Sequence, residues 1–293
     1  MQGPPERSGG SFVGRHMSEP RETIDETVRR VDPDRYFSAL FAPATSRRLL
    51  LTLYAFNHEI ARVAETVRQP MMGEIRLEWW RETLETARNG RPRDHPLARA
   101  LADLFVARAL PTDLFDAILN ARAFDSTPDL FADWSQVEDY CNATSGNLMR
   151  LAARILGGDD TQDVLAREAG TAYAIAGLIR SLRFHAARHK VYLPQDLLSA
   201  VGLMPDQIMA GKFDAKVKAA IAQTALKAHE HFRAARLMKA PRFLLPAFLP
   251  ATLVPLYLRR AKRRSFDPLR HSGDIAQHRK QLALLGAVLR RKL

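Results

Sequence analysis

The sequence lacks several features that whole classes of protein require. Its single cysteine, Cys141, excludes an intrachain disulfide and a cysteine-ligated metal cluster, and it fits a reducing compartment. No stretch approaches the roughly 18 uninterrupted apolar residues of a membrane-spanning helix. The most apolar segment, residues 243–258, contains three prolines. Long alternating runs of β-branched residues are also absent, so the sequence predicts no significant β-sheet.

The first 25 residues have the composition of a disordered terminal tail. Residues 1–25 are rich in Gly, Pro and Ser near their start and contain no apolar segment of the kind found in a secretory signal. Glu6 and Glu19 also argue against a transit peptide, and Met17 is an alternative start. No long linker follows later in the chain. We therefore predict a disordered tail over residues 1–25 and a single domain over residues 26–293.

Positive charge exceeds negative charge. Lysine and arginine total 44 against 32 aspartate and glutamate residues, a formal charge of +12, which favours phosphates, anionic lipid or an acidic protein face as partners. The basic runs 259–264 and 290–292 suit contact with an anionic membrane surface, although a solvated helix face explains them equally well. No nucleic-acid partner is expected, because no recognisable binding motif accompanies the charge.

Helical periodicity dominates the remaining chain. Apolar residues recur at spacings of three and four between Pro43 and Pro70, and similar runs end at Gly90 and begin at Pro96. Ser135 and Glu138 form a capping-box pattern at the start of another helix. Further predicted helices cover residues 161–185, 214–239, 243–263 and 274–291. The pattern indicates an all-α protein.

Three segments, in this order, resemble the squalene and phytoene synthase family. Residues 51–56 read Leu-Thr-Leu-Tyr-Ala-Phe, where the family has a Leu-Tyr-Ala-Phe stretch before its first aspartate-rich motif. Residues 76–84 contain Trp-Arg-Glu and are followed by His-Pro-Leu-Ala at 95–98, both shared with the family. Residues 170–194 end in Val-Tyr-Leu-Pro, like the second aspartate-rich motif. The resemblance spans residues 32–270 and implies the all-α isoprenoid synthase fold, a helical bundle around a central cavity.

The same resemblance locates the positions at which these synthases bind Mg²⁺. The enzymes ionise an allylic diphosphate, and carboxylates on facing helices hold the metal ions that neutralise the leaving group. Ungapped matching assigns the first set of carboxylate positions to Ala61, Arg62 and Glu65. It assigns the second set to Ser181, Phe184 and His185, and a Gln and an Asn one turn earlier to Ala174 and Gly177. Since one carboxylate remains in the two motifs, the resemblance implies that a conventional Mg²⁺ cluster cannot form.

The loss of these carboxylates favours a function without catalysis. The family includes a non-catalytic branch, the mitochondrial assembly factor for respiratory complex I, whose motifs are degenerate in the same two places. Residues 178–197 resemble that branch more than a working synthase. The implied function is assistance in assembling a membrane respiratory complex, NADH:quinone oxidoreductase, with no cofactor. The implied location is the bacterial cytoplasm, peripheral on the inner membrane, or the mitochondrial matrix in a eukaryote.

Two alternatives stay open. The first is an active prenyl transferase of the squalene/phytoene synthase type, which condenses two prenyl diphosphates and would need Mg²⁺. The second is a binding protein for an isoprenoid or lipid, which keeps the cavity and has lost the chemistry. An open cavity with an arginine-lined mouth would favour the second alternative, whereas a cavity filled by bulky side chains would favour a pure scaffold.

The resemblance also supplies candidate residues, but no catalytic residue is predicted. The candidates for a cavity or anion-binding site are Tyr54, Arg62, Glu65, Gly146, Arg180, His185 and Tyr192. The arginines expected near the cavity mouth are Arg62, Arg180, Arg183 and Arg188. Together they would form a metal-free anion site, in which guanidinium groups hold a diphosphate or a lipid head group. The alternative is that Arg183 and Arg188 are solvated and that Arg180 pairs with an acid such as Glu65.

A histidine pair is the remaining candidate for metal binding. His185 and His189 are four residues apart, a spacing that lets two side chains on one helix share a metal ion, and Glu65 is the candidate third ligand. Two histidines alone are a weak signal, so we predict no metal site.

Overall fold

The structure is a computed structural model that describes residues 22–67, 69–263 and 265–293, and it consists of helices joined by short loops. The helices are α1 (Ile24–Val31), α2 (Pro33–Ala39), α3 (Ala44–Ala61), α4 (Val63–Thr66), α5 (Pro70–Arg88), α6 (Pro96–Ala107), α7 (Thr112–Ala123), α8 (Trp134–Cys141), α9 (Asn147–Ile155), α10 (Asp163–Arg180), α11 (Leu182–Ala186), α12 (Gln195–Ala200), α13 (Pro205–Met209), α14 (Ala215–Leu237), α15 (Leu245–Phe248), α16 (Val254–Ala261) and α17 (Gln277–Arg290). Shorter 3₁₀ turns lie at Phe124–Ser126, Asp160–Gln162, Arg242–Leu244 and Leu249–Leu253, and a π-helical turn lies at Asn142–Gly146. No strand occurs among the described residues, in agreement with the all-α prediction.

The chain's first helix begins earlier than the predicted tail boundary. Thr23 caps α1 through a capping box with Glu26, so the ordered structure includes residues 22–25. The rest of the predicted tail, residues 1–21, lies outside the described residues. The division into a tail and a single domain stays a prediction.

Three details of the helix prediction were wrong. The predicted helix over residues 161–185 is interrupted at Ser181, between α10 and α11. Asp133, rather than Ser135, caps α8, because its carboxylate accepts a hydrogen bond of 3.0 Å from the backbone N–H of Gln136. The predicted helix over residues 243–263 is broken into α15, a 3₁₀ turn and α16. Its prolines lack the backbone N–H that a continuous helix requires. The apolar side chains of this segment fill the core, with the exception of the exposed Phe243.

α10 lies at the centre of the bundle and organises the core. It packs against α9, α14, α16 and the π-helical turn, and most of its residues are buried. Its Gly170 lies so close to Gly146 of the π-helical turn that a Cβ atom there would stand 2.5 Å from the Cα of Gly146. Glycine at position 170 therefore permits the close approach of the two helical segments.

The C-terminal segment closes over the end of α10. A Cβ atom on Gly273 would stand 2.7 Å from the Cα of Arg180, so the loop before α17 passes directly over the last turn of α10. α17 then packs against α2 and against residues 249–253. None of the described helices combines the length and the apolar character that a membrane crossing requires.

Candidate functional site

A cavity of about 870 Å³ opens among the helices. Residues from α2, α3, α4, α10 and α11 line it, together with the π-helical turn and the start of the C-terminal segment. The volume lies within the range of small-molecule binding sites. The cavity is therefore not filled by bulky side chains.

The positions expected to hold the metal-binding carboxylates do face this cavity. The wall includes the carboxylate positions Ala61, Glu65, Ser181, Phe184 and His185, and also Ala174 and Gly177, where a Gln and an Asn were expected. Arg62 is the exception, because its side chain is exposed and pairs with Glu59 at 3.5 Å. The ungapped matching thus identified part of the cavity wall, and at the matched positions that face the cavity the side chains are small, apolar or neutral apart from Glu65.

One buried cluster of charged and phenolic groups surrounds Asp34. The Asp34 cluster consists of Asp34, Tyr173, Arg180, Tyr257 and Lys280. Arg180 Nη1 lies 3.0 Å from Asp34 Oδ2, and Lys280 Nζ lies 3.0 Å from Asp34 Oδ1. Tyr173 donates a hydrogen bond of 2.9 Å to Oδ2, and Tyr257 donates a short hydrogen bond to the same oxygen. The carboxylate is thus held by two cations and two phenols.

Helix geometry explains how these groups converge. Asp34 lies in the first turn of α2, and Tyr173 and Arg180 are seven residues apart on α10, which places them on the same helix face. Tyr257 comes from α16 and Lys280 from the first turn of α17. The cluster therefore connects the start of the described chain to its C-terminal helices.

Charge, rather than exposure, sets the protonation of Asp34. Burial would raise the pKa of this carboxyl, but Arg180 and Lys280, with the hydrogen bond from Tyr257, outweigh that effect and lower the pKa below its ordinary value. Lys280 is only 2% exposed and also pairs with Asp274 at 2.6 Å. Asp34 is thus ionised and already neutralised by its neighbours.

A second cluster surrounds Asp125. The Asp125 cluster consists of Arg122, Asp125, Tyr140, His185 and Tyr192. Asp125 Oδ1 accepts hydrogen bonds from Tyr140 (2.7 Å) and Tyr192 (2.8 Å), and Oδ2 accepts one from Arg122 (3.0 Å). The ring of His185 lies against that of Tyr192, with 4.6 Å between their centroids. Here one carboxylate is paired with one cation.

Burial dominates the titration of two groups near Asp125. It lowers the pKa of His185 to about 4 despite the opposing effect of Asp125, so this imidazole is neutral at pH 7. It also lowers the pKa of Lys190 to about 8, which leaves the ammonium form in excess at pH 7. The ammonium donates to the carbonyls of Phe124, Thr127 and Asp129 at 2.7 to 3.1 Å. Lys190 therefore fixes the loop that carries Asp125.

The structure brings four of the seven candidate residues together at the cavity. Glu65, Arg180, His185 and Tyr192 line it. Tyr54, Arg62 and Gly146 do not. Tyr54 is buried near Arg35, whose guanidinium lies 5.9 Å from its ring centroid, and Gly146 serves the close helix packing described above. The binding roles of all seven residues stay predictions.

The predicted arginine site forms only in part. Arg180 pairs with Asp34 rather than with Glu65, so its charge is neutralised inside the protein. Arg183 and Arg188 line the cavity, are exposed, and have no carboxylate within ion-pair distance among the described residues. Arg188 instead stacks on Phe184, with its guanidinium carbon 3.6 Å from the ring centroid. Two free guanidinium groups remain at the mouth.

The donor set of the cavity does not fit the family's Mg²⁺ ions. Asp34 and Asp125 are held by buried cations, and Glu65 has no second carboxylate beside it at the former motif positions. His185 and His189 do not share a helix, because α11 ends at Ala186 and His189 has a positive φ of 55°. Across the described ranges, no group of three or more His, Cys, Asp and Glu side chains is placed to hold a metal ion.

Several wall residues were not recognised in the sequence. Asp34, Arg35, Arg122, Asp125, Tyr173, Lys190 and Lys280 all line the cavity. Arg35 and Arg122 pair with acids three residues away, but the other contacts join distant parts of the chain, as for Tyr257 and Asp34, which are 223 positions apart. No local spacing pattern marks such a pair.

The helical bundle and its cavity define an isoprenoid synthase type of protein. The sequence profile of squalene/phytoene synthase matches residues 28–283, which is most of the chain. This chain belongs to the squalene/phytoene synthase family.

Individual relatives refine this assignment. Human NADH dehydrogenase (ubiquinone) complex I, assembly factor 6 is 29% identical and aligns with 83% of this chain and 74% of its own length. Presqualene diphosphate synthase from Rhodopseudomonas palustris is 24% identical over 71% of this chain and 78% of that enzyme. A dehydrosqualene synthase crystal structure superposes with a TM-score of 0.79 over 91% of this chain and 94% of that chain, at 15% identity, which supports the fold alone. The predicted family and fold are confirmed.

Proposed function

We propose that this chain is a non-catalytic member of its family that assists the assembly of NADH:quinone oxidoreductase. The observation that carries the proposal is the chemistry of the cavity wall. Ala61, Ser181 and Phe184 stand where metal-binding carboxylates are expected, and Asp34 is neutralised within the protein. The similarity to assembly factor 6 supports the choice of complex.

The partner in this proposal is the respiratory complex or one of its assembly intermediates. Such a partner implies that the protein acts beside the membrane that holds the complex. That membrane is the inner membrane of a bacterium, reached from the cytoplasm, or of a mitochondrion, reached from the matrix.

Gene deletion and complementation test the assembly role. Deletion is expected to lower the amount of assembled NADH:quinone oxidoreductase on native gels and to leave the other respiratory complexes unchanged. The wild-type gene should restore the complex, and so should Glu65→Gln, because a non-catalytic protein has no need of that carboxylate for metal chemistry. An unchanged complex after deletion would contradict the proposal. Failure of Glu65→Gln at normal protein levels would indicate that carboxylate chemistry persists.

The transferase alternative makes a separate prediction. Purified protein with farnesyl or geranylgeranyl diphosphate and Mg²⁺ is expected to release no pyrophosphate above a control without protein. Release that a chelator abolishes would overturn the non-catalytic assignment and would indicate an unconventional metal site.

Ligand binding is a second candidate function, because the cavity is open and has unpaired guanidinium groups at its mouth. An isoprenoid or lipid with an anionic head group would place its chain inside and its head near Arg183 and Arg188. Calorimetry with farnesyl diphosphate in the absence of Mg²⁺ tests this role. Binding should be weakened by Arg183→Ser with Arg188→Ser, and it should persist in Arg88→Ser, an exposed arginine of α5 that does not line the cavity.

A further inference from the structure

The last helix, α17, has two different faces. Its inner face holds Lys280 and Leu284, which are nearly inaccessible to solvent. Its outer face carries Leu282, Leu285 and Leu289, which are 66%, 43% and 73% exposed. Because these leucines are three and four residues apart, they form one apolar stripe along the outside of the helix. The described part of the chain places nothing over this stripe that would bury it.

Charge around the stripe is of one sign. No aspartate or glutamate follows Asp274 in the sequence, and Asp274 itself pairs with Lys280. The basic residues exposed on α17 and directly after it are Arg279, Arg290, Arg291 and Lys292. An apolar stripe with basic residues at both ends is the arrangement by which a helix lies on an anionic lipid surface.

The charge of the whole chain is concentrated in the same region. Residues 231–293 contain fifteen lysine and arginine residues and two carboxylates, Asp267 and Asp274. The remaining 230 residues carry 29 basic and 30 acidic side chains, so the formal charge of +12 arises entirely from this last part. Such asymmetry attracts and orients a protein toward an anionic surface.

Another exposed apolar patch shows why charge decides the choice of partner. Met71, Met72 and Ile75 at the start of α5 are all about half exposed or more. Their neighbours on the helix are the exposed acids Glu74 and Glu78 with the exposed Arg76 between them, so charges of both signs surround this patch. These acids would be repelled by anionic lipid, so the two patches are similar in apolar character and differ in charge.

We propose that α17 docks the protein on an anionic lipid bilayer. Leu282, Leu285 and Leu289 insert among the head groups, and the flanking basic side chains pair with lipid phosphates. The membrane location belongs to the proposed function, whereas the docking surface does not depend on the cavity or on a respiratory complex. The buried Lys280 on the opposite face holds the helix to the body of the protein through Asp34.

Co-sedimentation of the full chain with vesicles tests this assignment. Vesicles of phosphatidylcholine alone are compared with vesicles in which about a third of the lipid is phosphatidylglycerol, at low and at about 0.5 M salt. We expect binding to the anionic vesicles only, and weaker binding at high salt. Leu282→Gln with Leu289→Gln should reduce the partition coefficient by about tenfold or more, because both leucines lose their apolar insertion. Arg290→Gln with Arg291→Gln should reduce it and flatten the salt dependence.

The matched control is Met72→Gln with Ile75→Gln, which removes an exposed apolar pair of similar size from α5. This variant should bind as the wild type does. Equal loss in the control and in the α17 variant, or equal binding to neutral and anionic vesicles, would overturn the proposal. Absence of binding to the anionic vesicles would overturn it as well. If light scattering then shows that the wild type is a dimer and that the leucine substitutions separate it, a second copy of the chain covers the stripe. Because no respiratory complex is present, failure here leaves the proposed assembly role untouched.

Discussion

Two buried polar clusters line one cavity and are built on different plans. The Asp34 cluster draws its members from α2, α10, α16 and α17, so it connects the two ends of the described chain. The Asp125 cluster draws its members from residues 122–192 alone. In the Asp34 cluster, Arg180 and Lys280 both pair with one buried carboxylate, and Lys280 also pairs with Asp274. In the Asp125 cluster, one cation pairs with one carboxylate. The first cluster therefore holds α2 and α10 to the C-terminal helices, whereas the second holds together neighbouring segments of the cavity wall.

Removal of the carboxylate from the first cluster should have the largest effect. Asp34→Asn leaves Lys280 and Arg180 without their shared counter-ion, and Lys280 is almost fully buried. Loss of one partner of a buried ion pair costs about 3–5 kcal/mol, so the free energy of unfolding should fall by this amount. Urea denaturation followed by circular dichroism measures it.

A control and a rescue make this prediction specific. Asp103→Asn removes one partner of an exposed pair with Arg48 and should change stability by less than about 1 kcal/mol. Adding Lys280→Met to Asp34→Asn should recover part of the loss, because it removes from the interior an ammonium whose remaining partner would be the half-exposed Asp274 alone. A double variant as unstable as Asp34→Asn alone would show that the charge on Lys280 is not what the carboxylate offsets.

The corresponding change in the second cluster should cost less. Asp125→Asn leaves one guanidinium, Arg122, without its counter-ion, while the amide oxygen can still accept a hydrogen bond from Tyr140 or Tyr192. We expect a loss of about 2–3 kcal/mol in the same denaturation measurement. A loss equal to that of Asp34→Asn would contradict the idea that the number of cations sets the difference between the clusters.

Sequence reasoning identified the wall of the cavity better than its chemistry. The resemblance placed Ala61, Ser181 and Phe184 at positions that do face the cavity, because ungapped helices preserve which residues share a face. It missed Asp34, a buried carboxylate at the cavity that is paired within the protein. That pairing depends on contacts between helices far apart in the chain, and no local pattern encodes them.

The two clusters are expected to lose stability in different pH ranges. The pKa of His185 is about 4 in the folded protein and about 6.5 when unfolded, so the unfolded state binds more protons between these values. Stability should therefore fall as the pH drops from 7 to 5, by about 1–2 kcal/mol from this residue. The lowered pKa of Asp34 instead predicts a loss that begins only below its ordinary value of 3.8.

The measurement is the difference between wild type and His185→Gln in urea denaturation at pH 7 and pH 5. Subtracting the pH dependence of the variant from that of the wild type removes the contribution of other histidines such as His58, whose pKa is also lowered by burial. Equal slopes with pH in the two proteins would mean that His185 is protonated as easily in the folded state as in the unfolded state.

Single phenols should have the smallest effect and give the finest comparison. Tyr192→Phe removes one hydrogen bond to Asp125, which keeps Tyr140 and Arg122 as partners, and the expected loss is about 1 kcal/mol. Tyr173→Phe removes one hydrogen bond to Asp34, which keeps Arg180, Lys280 and Tyr257, so the same loss is expected if each bond acts independently. A much larger cost for Tyr173→Phe would show that the bonds around Asp34 strengthen one another. The clusters would then differ in cooperativity as well as in charge.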